Sequence, residues 1–291
     1  MNPDQSCTSD QWSMLSSASA NSQLAGVLGG FLITAIALLF DRSSRESVHT
    51  LALFSSAVLI LMLDSFLFSL ITGTQPPDSG DRQSICAIAW TQGALATGML
   101  AAGTTALFGG LGWMLASFAV GKARTADPDD LASYAFLADL GGWLTFAAAM
   151  ATTLILSETS IDYLRFMFDG RPETWVVAVI TTSAALITVV NFVLVFVRTR
   201  DLRISLADPE ETTRLSLRSI KVATITTVAL AIVASWLAVS LARFPKPWLT
   251  DPNDAMVTLV LALTFVVPGV VAVAICYSVA STEKTQAPIS E

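Results

Sequence analysis

The sequence predicts an all-α integral membrane protein, a bundle of seven transmembrane helices. Of its 291 residues, 53% are hydrophobic and only 13% are charged, and the mean hydropathy is +0.64. Soluble domains carry about 25% charged residues. The charges are also clustered, which leaves apolar runs of the roughly 20 residues that a helix needs to cross a bilayer. We therefore expect one transmembrane helical domain over residues 1–291, with the lipid bilayer around it.

Seven apolar segments follow one another along the chain. Six have the length of one span, whereas the third is far longer. The third segment is one long helix, a helix bent at Gly109-Gly110-Leu111-Gly112, or two very short spans. The segments lie near Leu24–Phe40, Val48–Ile71, Ile85–Val120, Leu131–Leu156, Trp175–Val197, Ile220–Leu241 and Ala255–Val279.

The distribution of lysine and arginine selects among these topologies, because membrane proteins concentrate both residues in cytoplasmic loops. With seven spans and an outside N-terminus, eleven of the 16 cationic residues lie on the cytoplasmic side. Dividing the third segment would place the arginine-rich residues 198–221 outside. We therefore predict one long third helix and a cytoplasmic C-terminus, in the cell membrane. Residues 1–21 form a polar extracytoplasmic tail, residues 198–218 the longest cytoplasmic loop, and residues 281–291 a cytoplasmic tail.

An Asp-Pro pair followed by polar or acidic residues occurs three times. Aspartate is a favourable N-cap, proline suits the first helical position, and acids in the first turn complement the helix dipole. The pattern predicts that the fourth, sixth and seventh helices begin there, the sixth at Pro209. The copies are Asp127-Pro128-Asp129-Asp130, Asp208-Pro209-Glu210-Glu211 and Asp251-Pro252-Asn253-Asp254.

The segment after the fourth span, Ile161–Phe168, alternates apolar and polar residues at helical spacing. Ile161, Leu164 and Phe168 fall on one side. The pattern predicts a short amphipathic helix lying on the outer membrane surface.

Several functional classes lack their required residues. His49 is the single histidine, which excludes paired-histidine haem ligation, the H-E-x-x-H zinc motif and a Ser-His dyad in the bilayer. The G-G-L-G run has no lysine or Ser/Thr of a phosphate-binding loop. A net charge of −7 disfavours nucleic acid. We therefore expect no catalytic residues, no metal, no cofactor and no enzymatic activity.

Cys7 and Cys86 both fall on the outer side in this topology. Oxidising conditions outside the cytoplasm make a disulfide between them feasible. Free or buried thiols are the alternative.

Two carboxylates lie inside predicted spans, Asp64 and Asp139. With no lysine or arginine expected beside them, burial favours the neutral acid. Estimated depths place Gln92 level with Asp64 and Asn191 level with Asp139. Two such acid–amide pairs are either steps on a polar path or interhelical hydrogen bonds that hold the bundle together.

Pro268 and Gly269 lie near the middle of the seventh span. Proline removes a backbone hydrogen bond and bends the helix, and the adjacent glycine loosens the same turn. The pair is either a hinge or a fixed kink.

Small residues recur every four positions on two helices, and such faces allow helices to approach closely. Gly26 and Gly30 form one such face on the first helix. Two such rows on the third helix predict that it is central. The first row is Ala94, Gly98, Ala102, Ala106 and Gly110, and the second is Gly93, Thr97, Ala101, Thr105 and Gly109. The faces serve internal packing, self-association or contact with another membrane protein.

Two functions follow from these patterns. One is a non-enzymatic membrane subunit, sensor or assembly component that acts through its helix faces. The alternative is a transporter or channel-like protein for a proton, cation or small polar solute, with Asp64 and Asp139 as its embedded acids.

Overall fold

The computed structural model describes residues 7–9, 12–39, 45–75, 82–123, 128–168, 172–207, 213–215, 218–245, 253–278 and 282–284. Within these ranges the fold is all-helical, as predicted, and seven helices are long and apolar enough to cross a membrane. They are α1 (Met14–Leu39), α2 (Arg45–Thr72), α3 (Arg82–Ala123), α4 (Pro128–Met167), α5 (Thr174–Ala207), α6 (Arg218–Ser240) and α7 (Asp254–Ser278). Two short antiparallel ladders pair β1 (Thr8–Ser9) with β2 (Trp12–Ser13) and β3 (Thr213–Leu215) with β4 (Thr282–Lys284).

The third segment is a single helix of 42 residues, α3, and it forms the centre of the bundle. Its most apolar stretch is 78% buried, against 22% for α1 and for α5. It packs against α1, α2, α4, α6 and α7. All ten residues of its two small-residue rows are buried. The predictions of one long helix and of its central position are therefore confirmed.

The contact between α3 and α4 is close enough to exclude a side chain at its crossing point. A Cβ atom at Gly112 would lie 2.6 Å from the carbonyl oxygen of Gly141, and one at Gly141 would lie 2.8 Å from the oxygen of Gly112. Thr145 adds a hydrogen bond across the same contact, from its hydroxyl to the Phe108 carbonyl at 3.2 Å. Van der Waals packing is the main source of helix association where lipid replaces water.

A disulfide between Cys7 and Cys86 connects the N-terminal segment to the beginning of α3. The indole nitrogen of Trp90 donates a hydrogen bond to the Cys7 carbonyl at 2.9 Å. The Trp90 ring stacks on Phe166 and packs edge-on against Trp12. We call this end of the bundle the disulfide end. The opposite end, where α5 carries Arg198, Arg200 and Arg203, is the arginine end.

The first helix starts at Met14, before the apolar segment near Leu24, and it therefore includes the last part of the predicted polar tail over residues 1–21. Hydropathy alone misses residues 14–23 because most of them are small or polar. Met14 is buried against α3, where it fills the space beside Gly93. Ser22 exchanges hydrogen bonds with Ser65 of α2 at 2.9 Å. Tertiary contacts thus stabilise a helical start that local hydrophobicity does not predict.

The segment Ile161–Phe168 is not a separate surface helix. Ile161 and Leu164 lie in the last turns of α4, which continues to Met167, and both are buried. No glycine or proline interrupts the chain between Leu156 and Phe168, so nothing ends the helix at the predicted position.

The predicted loop over residues 198–218 is also shorter than expected. Helix α5 continues to Ala207, and Leu202 is buried in a cluster with residues of α3 and α4. The sixth helix begins at Arg218, not at Pro209. β3 occupies part of the connection and pairs with β4, which lies in the predicted tail over residues 281–291. The Asp208-Pro209 motif lies outside the described residues.

The other two Asp-Pro motifs stand at helix starts. Helix α4 begins at Pro128, where the pattern predicts the first helical position. Helix α7 begins at Asp254, and its cap is Asn253, whose side-chain oxygen accepts a hydrogen bond from the Ala255 amide at 3.0 Å. Asparagine is as favourable an N-cap as aspartate. The cap is therefore two residues later than the predicted Asp251.

Candidate functional site

Asp64 is fully buried on α2, within the bundle. It follows Ile60 and Leu61, whose side chains lie against Gly103 of α3, so helical spacing places Asp64 on the same face, one turn closer to the disulfide end. Neither carboxylate oxygen has a hydrogen-bond partner among the described residues. A buried acid in this position carries an uncompensated cost of desolvation.

Gln92 does not pair with Asp64. Its side-chain amide nitrogen donates instead to the Ala238 carbonyl of α6 at 2.9 Å. The residue count along α2 and α3 predicts a similar depth for the two side chains. It does not predict that α6 packs against both helices and supplies the acceptor.

Asp139 forms an ion pair with Arg203, so the expectation that it has no cationic partner is wrong. The two residues meet because α5 continues past the predicted end at Val197 and carries Arg203 alongside α4. The Asp139 side chain is 14% exposed and that of Arg203 is 67% exposed. The pair lines a cavity of about 380 Å³ near the arginine end, together with Trp143, Phe196, Thr199 and Arg200.

Asn191 is fully buried on α5 and lies away from the Asp139–Arg203 pair. It precedes Val195 by one turn, and Val195 packs with Ala149 of α4 and Ala272 of α7. Neither atom of the Asn191 side-chain amide has a hydrogen-bond partner within the described part of the chain. The predicted pair of Asp139 and Asn191 is therefore absent from the structure.

Helix α7 contains a π-helical turn over Ala262–Val266, which ends two residues before Pro268. The Val267 amide bonds to the Ala262 carbonyl, an i to i−5 contact. Proline has no amide hydrogen, so the carbonyl four residues before Pro268 loses its α-helical donor. Such single π turns are common at functional positions. Gly269 faces α5, where its Cβ position lies 3.0 Å from the Ile187 side chain.

The π turn lies directly against α3. A Cβ atom at Gly98 would come within 2.9 Å of the Thr264 Cα atom and 3.0 Å of the carbonyl oxygens of Leu263 and Thr264. The Thr264 hydroxyl is buried and has no hydrogen-bond partner among the described residues. Gly98 thus allows the irregular backbone of α7 to reach the core of the bundle.

Asp64, Ser235 and Thr264 lie at nearly one level along α3, and we call these three residues the central polar belt. The Ser235 hydroxyl of α6 donates to the Met99 sulfur at 3.9 Å, and Thr264 lies against Gly98. Helical rise places Asp64 level with Met99, because α2 and α3 are consecutive antiparallel helices. The belt comprises one carboxyl group and two hydroxyl groups, which are contributed by α2, α6 and α7.

The sequence patterns do not point to Arg203, Ser235 or Thr264. Arg203 falls in a stretch that hydropathy assigns to a loop. Serine and threonine are common in membrane helices, where they bond to their own backbone, so neither stands out by residue type. The π turn carried one signal, Pro268, which is compatible with either a kink or a change of helical register.

Within the described ranges, no cluster of three or more histidine, cysteine, aspartate or glutamate side chains is arranged to hold a metal ion. No protein-family model matches the chain, no curated protein is similar to it, and no solved structure matches it.

Proposed function

We propose that the chain is a multi-pass protein of the cell membrane, with the disulfide end outside and the arginine end in the cytoplasm. The seven long apolar helices support membrane insertion. The excess of lysine and arginine on one side supports the orientation. A disulfide at the other end agrees with an oxidising compartment there.

Labelling of introduced cysteines in intact cells tests this orientation. Glu173 and Arg200 are both exposed and lie at opposite ends of α5. A membrane-impermeant maleimide is expected to label Glu173→Cys in intact cells and Arg200→Cys only after permeabilisation. The reverse pattern would invert the topology.

Within that membrane we propose a non-enzymatic interaction component, which contacts another protein through α1. The observation that carries this proposal is Gly30. A Cβ atom there would meet no atom within 4 Å beyond its own helical backbone, whereas Gly29 contacts Met62 of α2. Gly26 and Gly30, which the sequence places on one face, therefore differ in their surroundings. Gly26 lies beside Ser65 of α2, whereas no side chain of the bundle lies beside Gly30 among the described residues.

An exposed glycine in a membrane helix weakens the helix without any gain in internal packing. Thr34 lies one turn further on the same exposed face, and its hydroxyl is bonded to the Gly30 carbonyl at 3.3 Å. A small residue followed by another four positions later allows a second helix to approach closely. The small-residue rows of α3 do not offer this surface, because they are buried inside the bundle.

A photo-crosslinking amino acid at position 30 tests the interaction in native membranes. It is expected to give one discrete protein adduct, and Gly30→Leu is expected to abolish co-purification of that adduct's partner. The matched control is Ile225 of α6, which is 69% exposed, where only lipid adducts are expected. Lipid adducts alone at both positions would exclude an α1 interface.

A second function, transport of a proton, cation or small polar solute, is favoured by Asp64. Its carboxyl group is fully buried and has no hydrogen-bond partner among the described residues. Ionisable groups in membrane interiors are costly and commonly serve ion pathways. On this proposal Asp64 is the protonatable step, with Ser235 and Thr264 at the same level. Asp139 is not assigned this protonatable role, because its carboxylate already forms an ion pair with Arg203.

Proteoliposome flux measurements distinguish the two functions. Asp64→Asn is nearly isosteric and cannot ionise, so it is expected to abolish flux while leaving the fold intact. Asp139→Asn, outside the central polar belt, is the control and is expected to retain flux. Absence of flux in the wild-type protein for protons and monovalent cations would reject this function and leave the interaction proposal standing.

A further inference from the structure

A groove of about 910 Å³ runs between α5, α6 and α7. Its lining is almost wholly aliphatic and aromatic along most of its length, and includes Leu186, Ile187, Phe265, Val270 and Val273. Gly269 contributes to the groove by leaving space beside Ile187. The groove is therefore suited to hydrocarbon.

At the arginine end the lining of the groove includes polar side chains. Ser219 and Tyr277 line it there, and the guanidinium carbon of Arg198 lies 4.5 Å from the centre of the Tyr277 ring. No acidic side chain among the described residues forms an ion pair with Arg198. The Ser219 hydroxyl is buried and has no hydrogen-bond partner in the described part of the chain. A cation and an unused hydroxyl thus stand at one end of an apolar groove.

We infer that this groove binds one anionic phospholipid, with an acyl chain along α5, α6 and α7 and its phosphate at Arg198 and Ser219. Guanidinium groups form charge-assisted hydrogen bonds to phosphate oxygens, and a hydroxyl adds one neutral donor. The Tyr277 ring holds the guanidinium in place through a cation–π contact. Basic pockets between membrane helices recognise lipid headgroups in this manner.

Charge complementarity favours a lipid over a partner helix in this groove. An apolar helix would match the aliphatic part of the groove but would leave the Arg198 charge at its end without a counter-ion. A phospholipid has both chemistries in the required order, a long apolar chain joined to an anionic phosphate. The inference rests on the proposed membrane location but is independent of the α1 interface.

Native mass spectrometry of the full-length protein in mild detergent tests the site. The protein is incubated with equal amounts of phosphatidylglycerol and phosphatidylcholine that carry identical acyl chains. We expect one bound phosphatidylglycerol per chain, preferred about fivefold over phosphatidylcholine, the preference that one arginine near the headgroup provides. Arg198→Gln is expected to remove the preference. Arg200→Gln, on the same helix but lining the cavity beside Asp139, is the control and should retain it.

A second pair of variants tests the apolar part and guards against loss of fold. Val270→Trp fills the groove and is expected to reduce occupancy by both lipids. Ile232→Trp, at an exposed position outside the groove, should leave occupancy unchanged, and circular dichroism should report equal helicity for both. Equal binding of the two lipids, an unchanged preference in Arg198→Gln, or a second protein chain crosslinked to Val270 would overturn the inference.

Discussion

Gly98 of α3 lies directly beneath the backbone of Thr264 in α7, so closely that a Cβ atom at residue 98 would come within 2.9 Å of the Thr264 Cα atom. Backbone cannot move aside as a flexible side chain can. The irregular π turn of α7 and a glycine on the central helix are thus parts of one contact.

We expect Gly98→Ala to lower the free energy of unfolding by about 1–3 kcal/mol, the usual cost of overpacking a core. Thermal unfolding in detergent measures the change. Gly121→Ala is the matched control, since its Cβ position meets no atom within 4 Å. That variant should be neutral or up to about 1 kcal/mol more stable, because alanine favours the helix. A tolerated Gly98→Ala would show that α3 and α7 are less closely packed.

The disulfide and the buried thiol predict a distinct alkylation pattern. The chain has three cysteines, and Cys276 is free and buried. The native protein should take no maleimide, the denatured unreduced protein one, and the denatured reduced protein three. Loss of the bridge in Cys7→Ser should lower stability by about 2–4 kcal/mol, since it closes a long loop with a separation of 79 residues. Three labels without reduction would contradict the pairing.

The ion pair of Asp139 and Arg203 should contribute little to stability. Arg203 is largely exposed, and exposed pairs contribute about 0.2–1 kcal/mol. A double-mutant cycle of Asp139→Asn and Arg203→Gln measures their coupling free energy. The same cycle with Arg200→Gln should give a coupling close to zero. A coupling above about 2 kcal/mol would indicate that the pair is shielded from solvent.

Thr264 tests whether the central polar belt contains unused polar groups. Thr264→Val removes a buried hydroxyl with no partner among the described residues, so stability should be unchanged or increase by about 1 kcal/mol. Thr227→Val is the control, because the Thr227 hydroxyl donates to the Ala223 carbonyl at 2.8 Å. It should lose up to about 1 kcal/mol. A marked loss in Thr264→Val would reveal a bound water or ion at that hydroxyl.

Local sequence properties predict those parts of the structure that depend on a single segment. Long apolar runs predict seven helices, and small residues on several sides predict the central position of α3. Local properties do not predict helix boundaries that depend on contacts between distant segments. Met14 is held in a helix by its packing beside Gly93 of α3, and α5 extends to Ala207 with Leu202 buried between α3 and α4. Neither contact is visible in a local pattern.

In the candidate site, too, the sequence predicts which residues are embedded but not which of them meet. Residue type and hydropathy identified Asp64 and Asp139 as embedded acids, but depth along a helix does not determine direction around it. Asp139 meets Arg203, Gln92 meets a carbonyl of α6, and Asp64 meets no partner among the described residues. Which side chains meet depends on the rotation of each helix about its own axis.

The sequence by itself determined the number and order of the long apolar helices, because hydrophobicity and backbone hydrogen bonding act within each segment. The tertiary structure decided where those helices end, which polar groups face one another, and where the apolar groove meets Arg198 and Ser219. These features depend on packing between segments far apart in the chain, where a glycine or a π turn at one position sets the approach of two helices.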